Sequence, residues 1–120
     1  IYAGDELGET GVKRDEEWGD DDVRRPVPPR PDSGPARERW ELHRRLVDVR
    51  REHPWLGTAE MAVDDLANER ATIRLHDGGR TVRLTLVAGD EAVPAPPGIV
   101  LAGAEGDRVP AHDWTLRFEG

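Results

Sequence analysis

From residue 58 onward apolar and polar positions alternate with a period of two, and this part of the chain reads as β structure. Ala71, Ile73 and Leu75 alternate with Thr72, Arg74 and His76, while Val82, Leu84 and Leu86 alternate with Arg83 and Thr85. Gly78 and Gly79 lie midway between the two runs. A primed two-residue turn at these glycines sets Asp77 opposite Arg80 and brings Leu75, Ile73 and Ala71 opposite Val82, Leu84 and Leu86 on one face of a ladder. Further short strands are expected at residues 58–63, 99–101 and 113–118. In the last of these, Trp114, Leu116 and Phe118 repeat the core pattern, and Pro94, Pro96 and Pro97 mark a loop. The expected product is a small antiparallel sheet or sandwich, and at about 60 residues it is marginal without a neighbour to pack on.

The period upstream is different. Trp40, Leu42, His43, Leu46, Val47 and Val49 recur at three- and four-residue steps among Arg and Glu, which predicts an amphipathic helix with one buried face. Gly34 and Pro35 suit its cap and first position, because Pro has no N–H to lose there, and Pro54 ends it. Glu41 and Arg45 stand at the spacing of an exposed ion pair worth about 0.2–0.5 kcal/mol. The stripe of Trp40, Leu42, Leu46 and Val49 is also a candidate self-association face, since an apolar face without a partner tends to find one. Residues 1–35 carry acids in runs (Asp15, Glu16, Glu17, then Asp20, Asp21, Asp22) and five prolines between Pro26 and Pro35. Alone, such a segment cannot offset the backbone ordering cost of about 1–2 kcal/mol per residue, so it is expected to need a surface to lie against. No internal repeat is present.

Charge narrows the function classes. The net charge of −8, with 17 basic residues interleaved among 25 acids, argues against a phosphate-backbone partner, which requires clustered positive charge. No run approaches the roughly 18 apolar residues of a membrane span, and the absence of Cys excludes a disulfide framework or a thiolate site and is compatible with the cytoplasm. The chain begins at Ile1 without Met, and its first residues read as the end of a buried strand, so its natural start is expected upstream.

Candidate chemistry is sparse. Asp5 and Glu6 are adjacent at a strand end and point to opposite faces, which places them poorly as the acid pair about 5–5.5 Å apart that a retaining glycosidase needs. One facing inward as a hydrogen-bonding prop and the other outward as a loop charge is the plainer arrangement. Asp20, Asp21 and Asp22 suit a solvated loop better than Ca²⁺, whose ligands must converge. His43, His53, His76 and His112 lack metal-ligand spacing, Ser33 sits before the helix, and no glycine loop that could cradle phosphate precedes a helix. No metal or cofactor is called for.

Three stretches carry a family resemblance. Residues 1–8 (IYAGDELG) resemble the segment at the eighth barrel strand of glycoside hydrolase family 13, the α-amylase family. Val23-Arg24-Arg25-Pro26 is similar to the Ala-Arg-Thr-Pro stretch that follows, although Val27-Pro28-Pro29 replaces the family's Met-Gln-Trp after it. Residues 46–56 (LVDVRREHPWL) resemble the end of the last barrel helix, after which the family continues into an all-β C-terminal domain. The resemblance implies an α+β fragment: residues 1–56 as the last strand and helix of a (β/α)8 barrel, and residues 57–120 as a small antiparallel all-β C-terminal domain that stabilises the barrel. It further implies a parent that cleaves or transfers α-glucosidic bonds with retention, on an α-glucan or small α-glucoside. Asp5 and Glu6 would then support the pocket wall and Arg24 would reach its rim, as barrel active sites lie at the C-terminal strand ends. The family's three catalytic acids fall before Ile1, so the fragment is expected to be inactive, with the N-terminal barrel as its missing partner. The rival is a stand-alone module whose β part binds glycan or protein; its exposed-aromatic candidates would be Trp55 and Trp114, and Trp55 after Pro54 reads more simply as a packing anchor.

Overall fold

A computed structural model describes residues 33–120. The chain divides into two compact units, Ile1–Val47 and Asp48–Gly120, whose boundary falls within helix α1 (Gly34–Glu52). The expected barrel strand, the acidic runs and Asp5, Glu6 and Arg24 lie outside the described residues.

Gly34 has φ +73°, the non-helical geometry of a cap, and Pro35 follows it into the helix. In the first unit, Glu41 accepts a hydrogen bond from Arg37 at 2.5 Å, one turn back, and the guanidinium groups of Arg37 and Arg44 lie 5.3 and 5.0 Å from the Trp40 ring centre. At its other end α1 carries Arg50 and Arg51, cations that suit a helix C-terminus, and stops two residues before Pro54. His53 N donates to Val49 O at 2.9 Å and a 3-10 turn follows over Pro54–Gly57.

The second unit is β-rich. Its strands are β1 (Glu60–Ala67), β2 (Arg70–Asp77), β3 (Arg80–Val87), β4 (Val93–Pro94), β5 (Ile99–Gly103), β6 (Arg108–Val109) and β7 (Trp114–Glu119). They form a five-stranded antiparallel sheet of order β1-β2-β3-β7-β5 and a two-stranded sheet, β4-β6. The central hairpin has the register read from its alternation: Asp77 faces Arg80, Leu75 faces Val82, Ile73 faces Leu84 and Ala71 faces Leu86. Gly78 at φ +54° and Gly79 at φ +95° supply the left-handed turn, and Arg80 closes it on Asp77 at 2.6 Å.

Strand β1 starts two residues later than its expected position and runs further, because a bulge shifts the register between Val63 and Asp65. The extra residue restores the alternation, so that Val63 pairs with Ile73 and Leu66 with Ala71 on the same face. The core gathers Val49, Trp55, Val82 and Leu101, with Leu56, Ala59, Leu116 and Phe118 against it. Val82, at 1 % exposure, sits at its centre. The His53 ring lies 5.0 Å from Phe118, and the Arg80 guanidinium caps the Trp55 ring at 5.0 Å. Val49 is buried in this core, which takes it out of the stripe read as an open self-association face.

In β7, Leu116 and Phe118 pack against the core as the alternation predicts, half-buried like Trp114, but the most buried side chains of the strand are Thr115 and Arg117. The reason lies on the opposite face, where β6 packs on β3 and the loop after β5 folds over β7. Pro94, expected in a loop, pairs instead with Arg108 in the small sheet.

Candidate functional site

Two neighbouring rows cross the sheet on its polar face. One is Thr72, Thr85 and Thr115; the other is Arg74, Arg83 and Arg117. Alternation along each strand puts them on one side, and the antiparallel register aligns them across strands. The hydroxyls of Thr72 and Thr85 lie 3.0 Å apart, and Thr115 Oγ1 donates to Ala104 O at 2.8 Å.

Three arginines side by side repel one another unless anions intervene. Asp64 supplies one, accepting from Arg74 Nε at 2.9 Å and from Arg83 Nε at 3.3 Å. The β1 bulge lets both Asp64 and Asp65 serve this face, and Asp65 accepts from Arg70 Nε at 2.7 Å. Glu119 accepts from a second arm of Arg83, and Arg117 donates to Gly106 O and, at 3.3 Å, to Thr115 Oγ1. The hydrogen bond to Glu119 raises the Arg83 pKa above its ordinary value; burial opposes this, and the charges of Glu119 and Asp64 add to it. Arg83 is therefore held as a cation.

Between these rows and residues 94–97 lies a cleft of about 330 Å³, lined by Asp64, Thr72, Arg83, Thr85, Pro94 and Pro97. A second, of about 530 Å³, lies beyond it against Asn68, Glu69, Arg70 and Glu91. Chemically the polar face is closed on itself. Asp64, Asp65 and Glu119 each hold an arginine, and among the described residues no buried side-chain nitrogen or oxygen lacks a hydrogen-bond partner. Such a network orients strands; it presents no carboxyl group poised to act as an acid or nucleophile.

The described histidines are dispersed. His43 Nδ1 lies 2.9 Å from Arg39 O, His53 stacks in the core, His76 faces Glu60 at 3.7 Å, and His112 meets Asp90 at 2.9 Å. No described group of three or more His, Asp or Glu is placed to hold a metal, and no described helix is long and apolar enough to cross a membrane. Trp55 is buried in the core as a packing anchor, and Trp114 is half-buried. Asp5, Glu6 and Arg24 are not among the described residues. The arginine and threonine rows went unread in the sequence, although the hairpin register alone sets Thr72 against Thr85 and Arg74 against Arg83.

Comparison with known proteins locates the fold. No family model and no curated protein matches the chain. Among the solved structures that share its fold are two of enzymes. One is of a Salmonella typhimurium protein assigned as an alpha amylase, matched over 74% of this chain and 17% of its own, at 21% identity and a TM-score of 0.60. The other is of the alpha-glucosyl transfer enzyme XgtA, matched over 100% of this chain and 32% of its own, at 20% identity and a TM-score of 0.67. This chain has the fold of one part of these α-amylase-like enzymes. It spans a third or less of each.

Proposed function

We propose that this chain is the C-terminal portion of an enzyme acting on α-glucosidic bonds, and that its β-rich unit stabilises the catalytic part without taking part in the chemistry. The observation that carries this is the fold match to the alpha-glucosyl transfer enzyme, which runs over the whole of this chain but only 32% of that one. The family-like stretches at residues 1–8 and 46–56 support the same assignment, and the self-satisfied polar face supports a structural role. On this reading residues 1–56 complete a (β/α)8 barrel and residues 57–120 form the C-terminal domain. Asp5 and Glu6 line the wall of the sugar pocket, Arg24 reaches its rim, and the retaining acids come from polypeptide preceding Ile1.

The test is direct. Incubated with maltooligosaccharides, the 120-residue chain is expected to release no product, whereas a polypeptide extended upstream through the three acids is expected to cleave or transfer. Turnover by the 120-residue chain that Asp5→Asn or Glu6→Gln abolishes would overturn the proposal. Titration of an α-glucan against the chain while following Trp fluorescence is expected to give no saturable change, which separates this reading from a glycan-binding module.

A further inference from the structure

Among the described strands, β1 and β5 are the outer ones of the five-stranded sheet, and its irregularities lie on those two alone. The interior ladders run without a shift. Strands β2 and β3 pair from Arg70 opposite Val87 to Asp77 opposite Arg80, and β3 and β7 from Thr81 opposite Glu119 to Leu86 opposite Trp114. Both outer ladders are interrupted. Between Val63 and Asp65, β1 advances two residues while β2 advances one, from Ile73 to Thr72. Between Val100 and Ala102, β5 advances two while β7 moves from Arg117 to Leu116. In each case the extra residue is on the outer strand, whose far side presents backbone N–H and C=O groups to which another chain could pair.

The two outer strands differ in what else protects them. Strand β5 is short, follows Pro96 and Pro97, and turns its extra residue, Leu101, into the core. Strand β1 is eight residues long, contains no Pro, and carries exposed Met61, Val63 and Leu66. Without its bulge it would be a long, regular, apolar outer strand, the kind that templates pairing with another molecule. The bulge divides it into residues 60–63 and 65–67, bends it, and breaks the even spacing of its outward backbone groups. Both acids then serve the polar face, Asp64 on Arg74 and Arg83 and Asp65 on Arg70. Two copies joined antiparallel about the middle of β1 would set these acids against each other, and like charges directly opposed disfavour pairing.

We infer that the β1 bulge is a guard against strand pairing with a second copy of this chain: one aspartate more than the ladder needs keeps the edge from extending the sheet into a neighbouring molecule. The pairing itself shows that the residue is surplus to the internal ladder. On either side of it Val63 faces Ile73 and Leu66 faces Ala71, a register that a strand with one aspartate would keep unchanged. The restriction of shifts to outer strands points the same way, because a bulge serving only the internal twist could as well lie between β2 and β3.

Deletion of one aspartate tests this, and the product is the same whether Asp64 or Asp65 is removed. It leaves a strictly alternating strand with one acid opposite Thr72. Asp64→Ala, which loses the charge and keeps the residue count, is the control. The parent, the deletion and the control are compared as 120-residue chains by sedimentation velocity over a range of concentrations, with folding checked by circular dichroism and contacts mapped by amide hydrogen exchange. The deletion is expected to self-associate at least about tenfold more strongly than the other two, with exchange slowed as concentration rises in residues 60–67 and not elsewhere. Equal association of all three overturns the inference. Association of the control as strong as that of the deletion also overturns it, by assigning the effect to charge, and so does protection that appears outside residues 60–67. A deletion chain that fails to fold overturns it as well, because the extra residue would then serve the chain's own register.

Discussion

Replacing Thr115 by Val isolates what the polar face contributes to stability. The two side chains have the same shape, so packing changes little, but the hydroxyl is lost at a site with 0% exposure. That hydroxyl donates to Ala104 O at 2.8 Å and accepts from Arg117 Nε at 3.3 Å, a long contact. The first bond is worth about 1 kcal/mol net, and leaving a buried guanidinium with one partner fewer adds about 1 kcal/mol or more. A loss of about 2 kcal/mol is expected. For a unit of this size that corresponds to a fall in Tm of very roughly 8–16 °C. Urea unfolding followed by far-UV circular dichroism, with an unchanged m-value, measures it. The mechanism is checked by repeating the substitution in an Arg117→Met background, where no charge remains to be left unpaired and the cost is expected to fall to about 1 kcal/mol. If Thr115→Val costs less than about 0.5 kcal/mol, or costs as much with Met at 117 as with Arg, the hydroxyl does not serve the buried arginine and the reasoning fails.

Other predictions follow from particular contacts. Gly103→Ala is expected to be severe, because Gly103 has φ +83° and a new Cβ would stand 2.4 Å from Trp114 O; loss of cooperative thermal unfolding would show it, and a Tm within a few degrees of the parent would refute it. Val82→Ala, at the centre of the core, is expected to cost about 2 kcal/mol in urea, whereas Leu66→Ala at the open end should cost under about 0.5 kcal/mol in the 120-residue chain. Asp64→Ala removes the anion shared by Arg74 and Arg83 and is expected to cost about 1 kcal/mol in dilute buffer and clearly less in about 1 M NaCl, since screening weakens both the lost pairs and the repulsion left behind. A cost independent of salt would show that Asp64 acts through packing.

Much of the fold is legible in the sequence where two signals coincide. The β2–β3 hairpin has turn glycines and alternation that demand the same register, and α1 has Gly34-Pro35 at one end and Pro54 beyond the other. The β1 bulge is not legible, because two consecutive acids break a count of two and only the pairing to Arg70, Arg74 and Arg83 explains both. Strands β4 and β6 are two residues each, too short to show a period, and Pro94 argues against strand on propensity alone.

Burial in β7 shows a different limit, and it bears on where function can lie. Alternation separates Trp114, Leu116 and Phe118 from Thr115 and Arg117 without saying which set will be covered. That depends on the small sheet and on the loop carrying Ala104 and Gly106, which the chain reaches only after β5. Because those later segments close the polar face, its charges must be satisfied from within, and its arginines and acids are used up in pairing. Among the described residues, 49–56 cover one end of the apolar face, and Met61, Val63, Leu66, Leu86 and Ile99 are exposed. Among the described residues, the charged side, which looks more like a site by composition, is therefore the one already satisfied from within.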